Sequence, residues 1–485
     1  MRIEHDALGS MELPTNVDYG IQTARAVENF SISGINISAI PGFVESIATL
    51  KKAAAQANCK VGALDEERAS AIQWAADQVR NHVDPRSFPV DIYHGGGGTA
   101  ANMNVNEVIA RLASRHAGGT EESNAVHPND HVNLGQSTND VIPSAMKMTT
   151  YALLEKLERQ VELMIRVLKD KEAAFSNDIK LGRTCLQDAL PITMGQQFSG
   201  YRRAMERALE EILRVHDMCL ELPLGATAVG TGFGAAPGYT AAVYGCLQEL
   251  TGTRYHPEKN FFDGLQNADV WITISSALKG LSTSLNKLSA DLRLMSSGPR
   301  AGLAEIELPA VQPGSSIMPG KVNPVMPEMV MQVHFRVVGN DATITRACEG
   351  ELDLNVWESV IIYCISESVS LLTNCIPLLA EKCIAGIRVN THQCERHANE
   401  SLALSTVLAS LFGYERASRI SKQAAAENKT ISQIAVELGL LTREDADRYL
   451  DPMLLTSPSR FDTLFSRDRL QAINSAQPAG PSALG

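Results

Sequence analysis

The chain has 485 residues, more than one hydrophobic core usually serves, so two to four domains are expected. Hydrophobic residues make up 44% of the sequence, charged residues make up 20%, and the formal net charge is −12. This acidic balance argues against nucleic acid as the main partner, because phosphate contacts need a basic face, although a local field can still favour an anionic substrate.

The N-terminus and the cysteines bear on where the protein works. Residues 1–6 carry no apolar signal core, and no run of about twenty apolar residues predicts a membrane span. The nine cysteines are scattered without a Cys-x-x-Cys pair, a pattern typical of free buried thiols in a reducing compartment. We therefore expect a cytoplasmic protein.

Residues 1–140 are expected to mix loops with shorter helices. Glycines 95–98 precede Thr99, and asparagines recur at 102, 104 and 106. Glycines let a backbone approach a ligand closely, and consecutive N–H groups form nests for anions. The alternative is a flexible linker, which the density of asparagine disfavours.

A second polar segment covers residues 127–140. It begins with His127-Pro128-Asn129-Asp130 and ends with a run of hydroxyl and amide side chains that includes Ser137, Thr138 and Asn139. Ser144-x-x-Lys147 follows and matches a motif of penicillin-recognising enzymes, but its companion motifs are absent and we interpret the match as chance.

Long proline-free stretches with apolar seams at helical spacing follow and predict a helical bundle. The clearest seam spans residues 271–295 and predicts a helix about 37 Å long at 1.5 Å per residue. Similar seams lie in residues 153–168 and 198–216. Ile272, Ala290 and Leu294 lie off the main seam, so we expect burial against a second subunit; a large monomer with one thick bundle is the alternative.

Two further segments interrupt the helical pattern. Residues 182–188 hold Thr184 and Cys185 within a polar run. Residues 230–234 hint at a dinucleotide-binding fingerprint, but Ala235 stands where the third glycine belongs and no strand precedes them.

The densest polar segment is residues 314–324, Gly-Ser-Ser-Ile-Met-Pro-Gly-Lys-Val-Asn-Pro. Its two prolines and two glycines predict a loop. A phosphate-binding loop is excluded because five residues separate Gly314 from Gly320 and Val322 follows Lys321. The loop and the three earlier polar segments share neutral hydrogen-bond donors, which suit a carboxylate on which charge must accumulate.

Residues 314–324 resemble the signature of the aspartase/fumarase superfamily, and the other three polar segments resemble its remaining signature blocks in the same order. The resemblance runs from residues 2–6 to at least residues 440–442, which is nearly the whole chain. It implies a mainly α subunit with a long central helical bundle in a homotetramer, with each active site shared between subunits. The expected domains are residues 1–140 with substrate-binding loops, 141–393 with the long helices and the catalytic loop, and 394–485 as a small helical domain.

The resemblance also implies roles for individual residues. Members eliminate a group from a succinyl skeleton and release fumarate, without an organic cofactor, and we expect no metal. Ser315 is then the base that takes the β-proton, and Lys321 and Asn323 bind a substrate carboxylate. The residue after Thr184 is expected to be hydrogen-bonded by Glu328, and substrate is expected to be held by Thr99, Ser137, Thr138, Asn139 and Thr184.

The expected leaving group is ammonia. Residues 19–30, 325–328 and 339–341 resemble the aspartase branch more than the fumarase branch. Fumarases place histidine after the threonine that matches Thr184, and aspartases place glutamine or histidine there, whereas this chain has Cys185. Hydroxide needs a proton in order to leave, so the loss of histidine harms a hydratase more than an ammonia-lyase.

Several alternatives stay open at this stage. The chain is predicted to convert L-aspartate to fumarate, but a fumarate hydratase and a lyase for a modified aspartate are alternatives. Cys185 is either a packing substitution or a change that makes room for a larger α-substituent. A catalytically inactive helical protein is a third possibility, which the intact Ser315, Lys321, Asn323 and Glu328 disfavour.

Overall fold

A computed structural model describes residues 1–118 and 125–464 of the chain. The fold is 64% helical, and its strands are short and paired two by two. The mainly α class predicted from the sequence is confirmed.

The helices cover most of the described sequence and vary widely in length. In chain order they are α1 Ile21–Asn29, α2 Phe43–Lys60, α3 Glu66–Asn81, α4 Thr99–His116, α5 Thr138–Ala174, α6 Met194–Met218, α7 Tyr239–Thr251, α8 Phe261–Gln266, α9 Asp269–Met295, α10 Val325–Ala347, α11 Glu358–Lys382, α12 Thr391–Glu400, α13 Ser405–Phe412, α14 Tyr414–Glu427, α15 Ile431–Glu437, α16 Arg443–Tyr449 and α17 Pro458–Leu464.

In the described part of the chain, the strands form four separate two-stranded sheets. Three pairs are antiparallel and one, β5 with β6, is parallel. The strands are β1 Arg2–Asp6 with β2 Gly9–Leu13, β3 Ile179–Thr184 with β4 Gln187–Thr193, β5 Glu221–Leu222 with β6 His256–Pro257, and β7 Ile306–Glu307 with β8 Arg388–Val389.

The long helices form where the apolar seams predict them. The seam positions of α9 are all buried, because a repeat of three and four residues keeps them on one helical face. They are Trp271, Ile274, Leu278, Leu281, Leu285, Leu288, Leu292 and Met295. The seams in residues 153–168 and 198–216 lie within α5 and α6. Leu294, which lies off the α9 seam, is 46% exposed in the isolated chain.

The described residues divide into two compact units. The first unit holds residues 1–118 and 125–161, Arg207–Thr283 and Gln332–Cys375, and the second holds Glu162–Glu206, Ser284–Met331 and residues 376–464. In the first unit, α2 packs against α3 and α7, and α3 packs against α4. The division into three domains stays a prediction.

The second unit includes a compact helical end. Leu404, Leu408, Ile420, Ile434 and their neighbours form a buried apolar cluster between α13 and α16. A capping box starts α15, where the Thr430 hydroxyl and the Gln433 side chain satisfy each other's backbone N–H groups.

One helix is notably apolar. The stretch Glu358–Gly386, which contains α11, has a mean hydropathy of 1.5 and is long enough to cross a membrane by length and composition alone. Because 56% of its most apolar window is buried inside the protein, it also fits a core helix, so it is weak support for a membrane span.

Candidate active site

The segment 314–324 is a loop that leads into α10, as its prolines and glycines predict. Its ends are held together by two hydrogen bonds: Gly314 N–H donates to Lys321 O at 2.8 Å, and Asn323 Nδ2 donates to Gly314 O at 2.8 Å. The apolar side chains between them face outward, with Ile317 83% exposed. The loop therefore has a fixed base and an open tip.

Ser315 lies at the base of this loop. Its Oγ accepts hydrogen bonds from the backbone N–H groups of Ile317, at 3.2 Å, and Met318, at 3.0 Å. Such contacts are common in serine turns, but here they also place two N–H dipoles where negative charge on the oxygen would develop. N–H groups that donate to a hydroxyl oxygen stabilise its deprotonated form.

The other expected members of this region differ in how they are held. Asn323 is fixed by its bond to Gly314 O, whereas the Lys321 side chain is exposed. Glu328, in the first turn of α10, lies 3.6 Å from Arg293. The structure thus gathers Ser315, Lys321 and Asn323 in one loop, and their roles stay predictions.

Thr184 and Cys185 lie at the tip of the β3–β4 hairpin. Thr184 pairs with Gln187, so Cys185 and Leu186 form the turn, with φ of 53° and 58°. Positive φ at both central residues is the geometry of the tightest hairpin turns, which normally use glycine or asparagine. Cys185 is the one exposed residue among the nine cysteines, and it lies next to Thr184.

The base of this hairpin is held by a buried ionic cluster that the sequence did not reveal. Glu305 is fully buried, and Arg183, the residue before Thr184, contacts its carboxylate at 2.8 Å. His397 Nδ1 lies 3.0 Å from the same carboxylate, and Lys180 Nζ lies 3.6 Å from it. Burial raises the pKa of Glu305, but Arg183, Lys180 and His397 outweigh burial and hold the pKa below its usual value.

The glycine run of the first unit ends in the N-terminus of α4. Gly96, Gly97 and Gly98 all have positive φ, and a Cβ on Gly98 would lie 2.8 Å from the Ile142 side chain. Thr99 begins the helix, and its hydroxyl donates to Gly96 O at 2.8 Å. The run is therefore an ordered turn, and the alternative of a flexible linker is wrong.

Thr99 also lines a cleft of about 410 Å³ in the first unit. The wall opposite the glycine run comes from the β1–β2 turn and from α1, where Arg25 binds Asp6 through two hydrogen bonds of 2.7 and 2.9 Å. The cleft is large enough for a small dicarboxylate.

A buried acid lies against the same glycine run. The Oε2 atom of Glu358 would be 3.7 Å from a Cβ on Gly97, and it has no hydrogen-bond partner within the described part of the chain. Burial raises the pKa of Glu358 to about 8. Sequence reasoning missed this residue because nothing in its local pattern indicates burial.

Ser137, Thr138 and Asn139 form the start of α5. Ser137 N–H donates to Asp140 Oδ1 at 2.9 Å, and Asn139 Nδ2 donates to Ala228 O at 2.7 Å. Asp140 also accepts from the N–H groups of Gly225 and Thr227, each at 3.0 Å. Burial raises the pKa of Asp140 to about 6, although these backbone hydrogen bonds lower it.

Behind Thr138 lies a buried polar network. Asn102 Nδ2 donates to Thr138 Oγ1 at 3.0 Å and to Asn133 Oδ1 at 3.2 Å. Lys51, on α2, is completely buried, and its Nζ contacts Asn133 Oδ1 at 2.9 Å. The repeated asparagines in residues 102–106 could have indicated this network from the sequence. Nothing in the sequence around Lys51 indicates that Lys51 is buried.

In residues 1–118 and 125–464, no group of three or more His, Cys, Asp or Glu side chains is arranged to hold a metal ion. Two family models match the chain: one described as lyase over residues 9–339, and one described as fumarase C C-terminus over residues 404–457.

The full-length relatives carry two different enzyme names. An aspartate ammonia-lyase of Helicobacter pylori is 43% identical over 95% of this chain and 99% of its own length. A class II fumarate hydratase of Halobacterium salinarum is 44% identical over 94% of this chain and 97% of its own length. A crystal structure of fumarate lyase:delta crystallin from Brucella melitensis superposes with a TM-score of 0.91 at 41% identity, covering 94% of this chain and 100% of that one.

Proposed function

The chain belongs to the aspartase/fumarase superfamily of lyases, and we propose that it eliminates ammonia from L-aspartate to give fumarate. One observation carries the proposal: the Ser315 hydroxyl oxygen accepts hydrogen bonds from two backbone N–H groups. The same loop also holds Lys321 and Asn323. The similarity to aspartate ammonia-lyases along almost the whole chain supports the same reaction class.

The proposed reaction begins with the loss of a proton from the carbon next to a carboxylate. Ser315, as the alkoxide, takes the β-proton, and the electron pair of the broken C–H bond moves into the neighbouring carboxylate to form an aci-carboxylate. That pair then forms the carbon–carbon double bond as the C–N bond breaks. Ammonia leaves with the C–N bond electrons, and fumarate is the other product.

The energetic problem is the extra negative charge on the intermediate, which carries a doubly charged carboxyl group. Fixed donors that face this charge lower the barrier, because they need no reorganisation when the charge develops. Lys321 supplies a positive charge, and Asn323, Thr184, Thr99 and the residues 137–139 supply neutral donors. Ser315 is a poor base while its hydroxyl keeps its proton. It therefore needs the two N–H groups that donate to its oxygen, because they stabilise the alkoxide.

Cys185 favours ammonia over water as the leaving group. An α-ammonium departs as a neutral molecule, whereas hydroxide must be protonated by a nearby acid. Cys185 stands where the fumarase branch is expected to carry histidine. The similarity to a class II fumarate hydratase keeps malate as the second candidate substrate, and a modified aspartate is the third.

The test is a panel of substrates followed through the absorbance of fumarate. Purified protein is mixed in turn with L-aspartate, L-malate and N-substituted aspartates. We expect turnover with L-aspartate and little or none with L-malate. Turnover with L-malate alone would reverse the assignment, and turnover only with an N-substituted aspartate would assign the larger α-substituent to the space beside Cys185.

We also propose that the working enzyme is a cytoplasmic homotetramer whose active sites combine loops of different subunits. Exposed apolar side chains on the long helices support association, among them Leu213 on α6, Leu294 on α9 and Phe335 on α10. Light scattering after size exclusion tests the subunit number, and a dominant monomer would contradict this part of the proposal.

A further inference from the structure

In the polar network behind Thr138, each hydrogen bond has a defined donor and a defined acceptor. Lys51 Nζ contacts Asn133 Oδ1 at 2.9 Å and Gln136 Oε1 at 3.0 Å. A lysine nitrogen with two such neighbours acts as the donor to both. Lys51 therefore requires that Asn133 and Gln136 each turn the carbonyl oxygen of the side-chain amide toward it.

The remaining contacts of these two amides agree with that orientation. Asn133 Nδ2 donates to Gln136 O at 3.2 Å, and Gln136 Nε2 donates to Val132 O at 3.0 Å. Each backbone oxygen can only accept a hydrogen bond. If either side-chain amide were flipped, its oxygen would face a backbone oxygen and its NH₂ group would face the N–H groups of Lys51. Both amides are thus fixed.

The orientation of Asn133 then fixes Asn102. Asn133 Oδ1 faces Asn102 Nδ2 at 3.2 Å and Asn106 Nδ2 at 3.1 Å, and an oxygen requires a donor from each. Asn102 consequently presents its NH₂ group to the network, and its second N–H reaches Thr138 Oγ1 at 3.0 Å. Asn102 is 1% exposed, so bulk solvent does not compete for these contacts.

We propose that Asn102 is a positioning residue that holds the Thr138 hydroxyl as a hydrogen-bond donor toward a carboxylate of the substrate. A hydroxyl has one proton, and when its oxygen accepts from Asn102 that proton is left for another acceptor. The inference rests on the proposed function, because it takes the ligand of Thr138 to be a dicarboxylate.

The donor and acceptor roles in the network do not depend on the charge of Lys51. Burial lowers the pKa of Lys51 to about 7, and the charge of Asp140 acts in the opposite sense. A neutral amine still has two N–H groups, which is enough for its two acceptors. The proton of Thr138 therefore stays directed outward on both sides of neutral pH.

The chain offers a matched pair of variants for a test. Asn102→Asp keeps the shape of the side chain but replaces the NH₂ donor by an acceptor, so the Thr138 proton turns inward. Asn104→Asp makes the same change at a buried asparagine on the same helix, whose Nδ2 donates to Ser87 O at 2.8 Å and not to Thr138. A merely structural role would affect both variants alike.

The readouts are the Kd of succinate, an unreactive dicarboxylate, by calorimetry, and KM and kcat for L-aspartate. We expect Asn102→Asp to weaken succinate binding and raise KM by about 10- to 100-fold, with a smaller change in kcat. Asn104→Asp should change both by less than about twofold while it lowers the melting temperature. Equal changes of Kd in the two variants, or an unchanged Kd in Asn102→Asp, would overturn the inference.

A second comparison does not depend on whether Asn102→Asp folds. Thr138→Ser keeps the hydroxyl and should lose less affinity for succinate than Thr138→Val, which should lose about 10- to 100-fold. Asn102→Ala should weaken binding in the Thr138→Ser background and have little further effect in the Thr138→Val background. If Asn102→Ala weakened succinate binding by the same factor in both backgrounds, the coupling of Asn102 to Thr138 would be contradicted.

The two proposals fail in different ways. If the unaltered protein binds succinate but forms no fumarate from L-aspartate, the proposed reaction is wrong and the comparison of Asn102 with Asn104 still reports on the network. If the unaltered protein does not bind succinate at millimolar concentration, the ligand class assigned to Thr138 is wrong and the inference fails.

Discussion

At the scale of single residues, two buried carboxyl groups show how surroundings decide the state of an acid. Glu305 lies among Arg183, Lys180 and His397, and its pKa is lowered. Glu358 has no hydrogen-bond partner for Oε2 in residues 1–118 and 125–464, and burial raises its pKa to about 8. Glu305 is therefore ionised at neutral pH, whereas Glu358 keeps its proton.

Glu358 makes stability depend on pH in a defined direction. Its pKa in the folded protein, about 8, exceeds the ordinary value of 4.5, so the native state binds more protons between these limits. The contribution of Glu358 to stability is complete below pH 4.5 and is lost as pH rises to about 8. Glu358→Gln removes this titration. Relative to the unaltered protein, the free energy of unfolding of the variant should therefore rise from pH 5 to pH 8, by about 4 kcal/mol at most.

Melting temperatures of both proteins between pH 5 and pH 9 measure this effect. Glu381→Gln, at an exposed acid on the same helix, serves as the control and should show no such trend. A difference between Glu358→Gln and the unaltered protein that stays constant with pH would show that Glu358 does not titrate in this range.

Glu305 should be costly to replace because two cations depend on it. Glu305→Gln keeps the shape but leaves Arg183 and Lys180 without a counter-charge, which costs about 3–5 kcal/mol. Glu307→Gln is the matched control two residues away, because Glu307 pairs with Arg388 in an exposed contact that is worth about 1 kcal/mol or less. Thermal unfolding distinguishes the two, and equally mild effects would show that the buried cluster stabilises little.

Ser315 can be tested against its own neighbour. If Ser315 is the base, Ser315→Ala should lower kcat by about 10²- to 10⁴-fold, since a general base contributes roughly that factor. Ser316→Ala changes an exposed hydroxyl next to it and should retain most activity. Far-ultraviolet circular dichroism should be unchanged in both, and a fully active Ser315→Ala would reject Ser315 as the base.

At the scale of elements, two loops depend on backbone geometry that side chains do not reveal. The loop 314–324 closes through Gly314, and a Cβ there would lie 2.6 Å from Lys321 O and 2.7 Å from Asn323 N. The β3–β4 turn has positive φ at Cys185 and Leu186, where no glycine is present. Both loops carry residues of the candidate active site, and the positive φ of Cys185 and Leu186 fits the strained backbone found at functional positions.

Gly314→Ala should therefore disrupt the loop more than Gly320→Ala. The added methyl group at 314 collides with the backbone that fixes Lys321 and Asn323, and a misplacement of about 1 Å costs roughly 100-fold in rate. A Cβ at 320 meets nothing within 4 Å, so Gly320→Ala costs only the strain of its positive φ, about 1 kcal/mol. Rates of fumarate formation and melting temperatures compare the two variants, and equal rates would contradict the close approach at Gly314.

The elements differ in how far the sequence could predict them. The long helices follow from seams such as that of α9, because apolar spacing of three and four has one structural solution, and the loop 314–324 follows from its prolines and glycines. The β3–β4 hairpin was not predicted, since its turn lacks Asn-Gly or Asp-Gly and its strands do not alternate regularly. Lys51, Glu305 and Glu358 could not be predicted to be buried, because their burial results from contacts between distant segments.

At the scale of the whole molecule, the assignment of loops to different subunits can be tested by mixing. Ser315→Ala and Thr138→Val are prepared separately and reassembled in equal amounts. If each site takes these residues from different chains, about one quarter of the sites receive both intact residues, and that fraction of activity should return. If both come from one chain, no activity beyond that of the separate variants should appear.

The exposed Cys185 at the β3–β4 turn gives the protein a natural attachment point. Burial raises the pKa of Cys219, Cys375, Cys383 and Cys394 to about 12, so these groups stay as unreactive thiols. Cys185 is the exposed cysteine, so a maleimide fluorophore should react there before it reacts at these four. The unaltered sequence thus accepts a reporter beside Thr184, and changes in its emission on adding fumarate would follow events at that tip in real time.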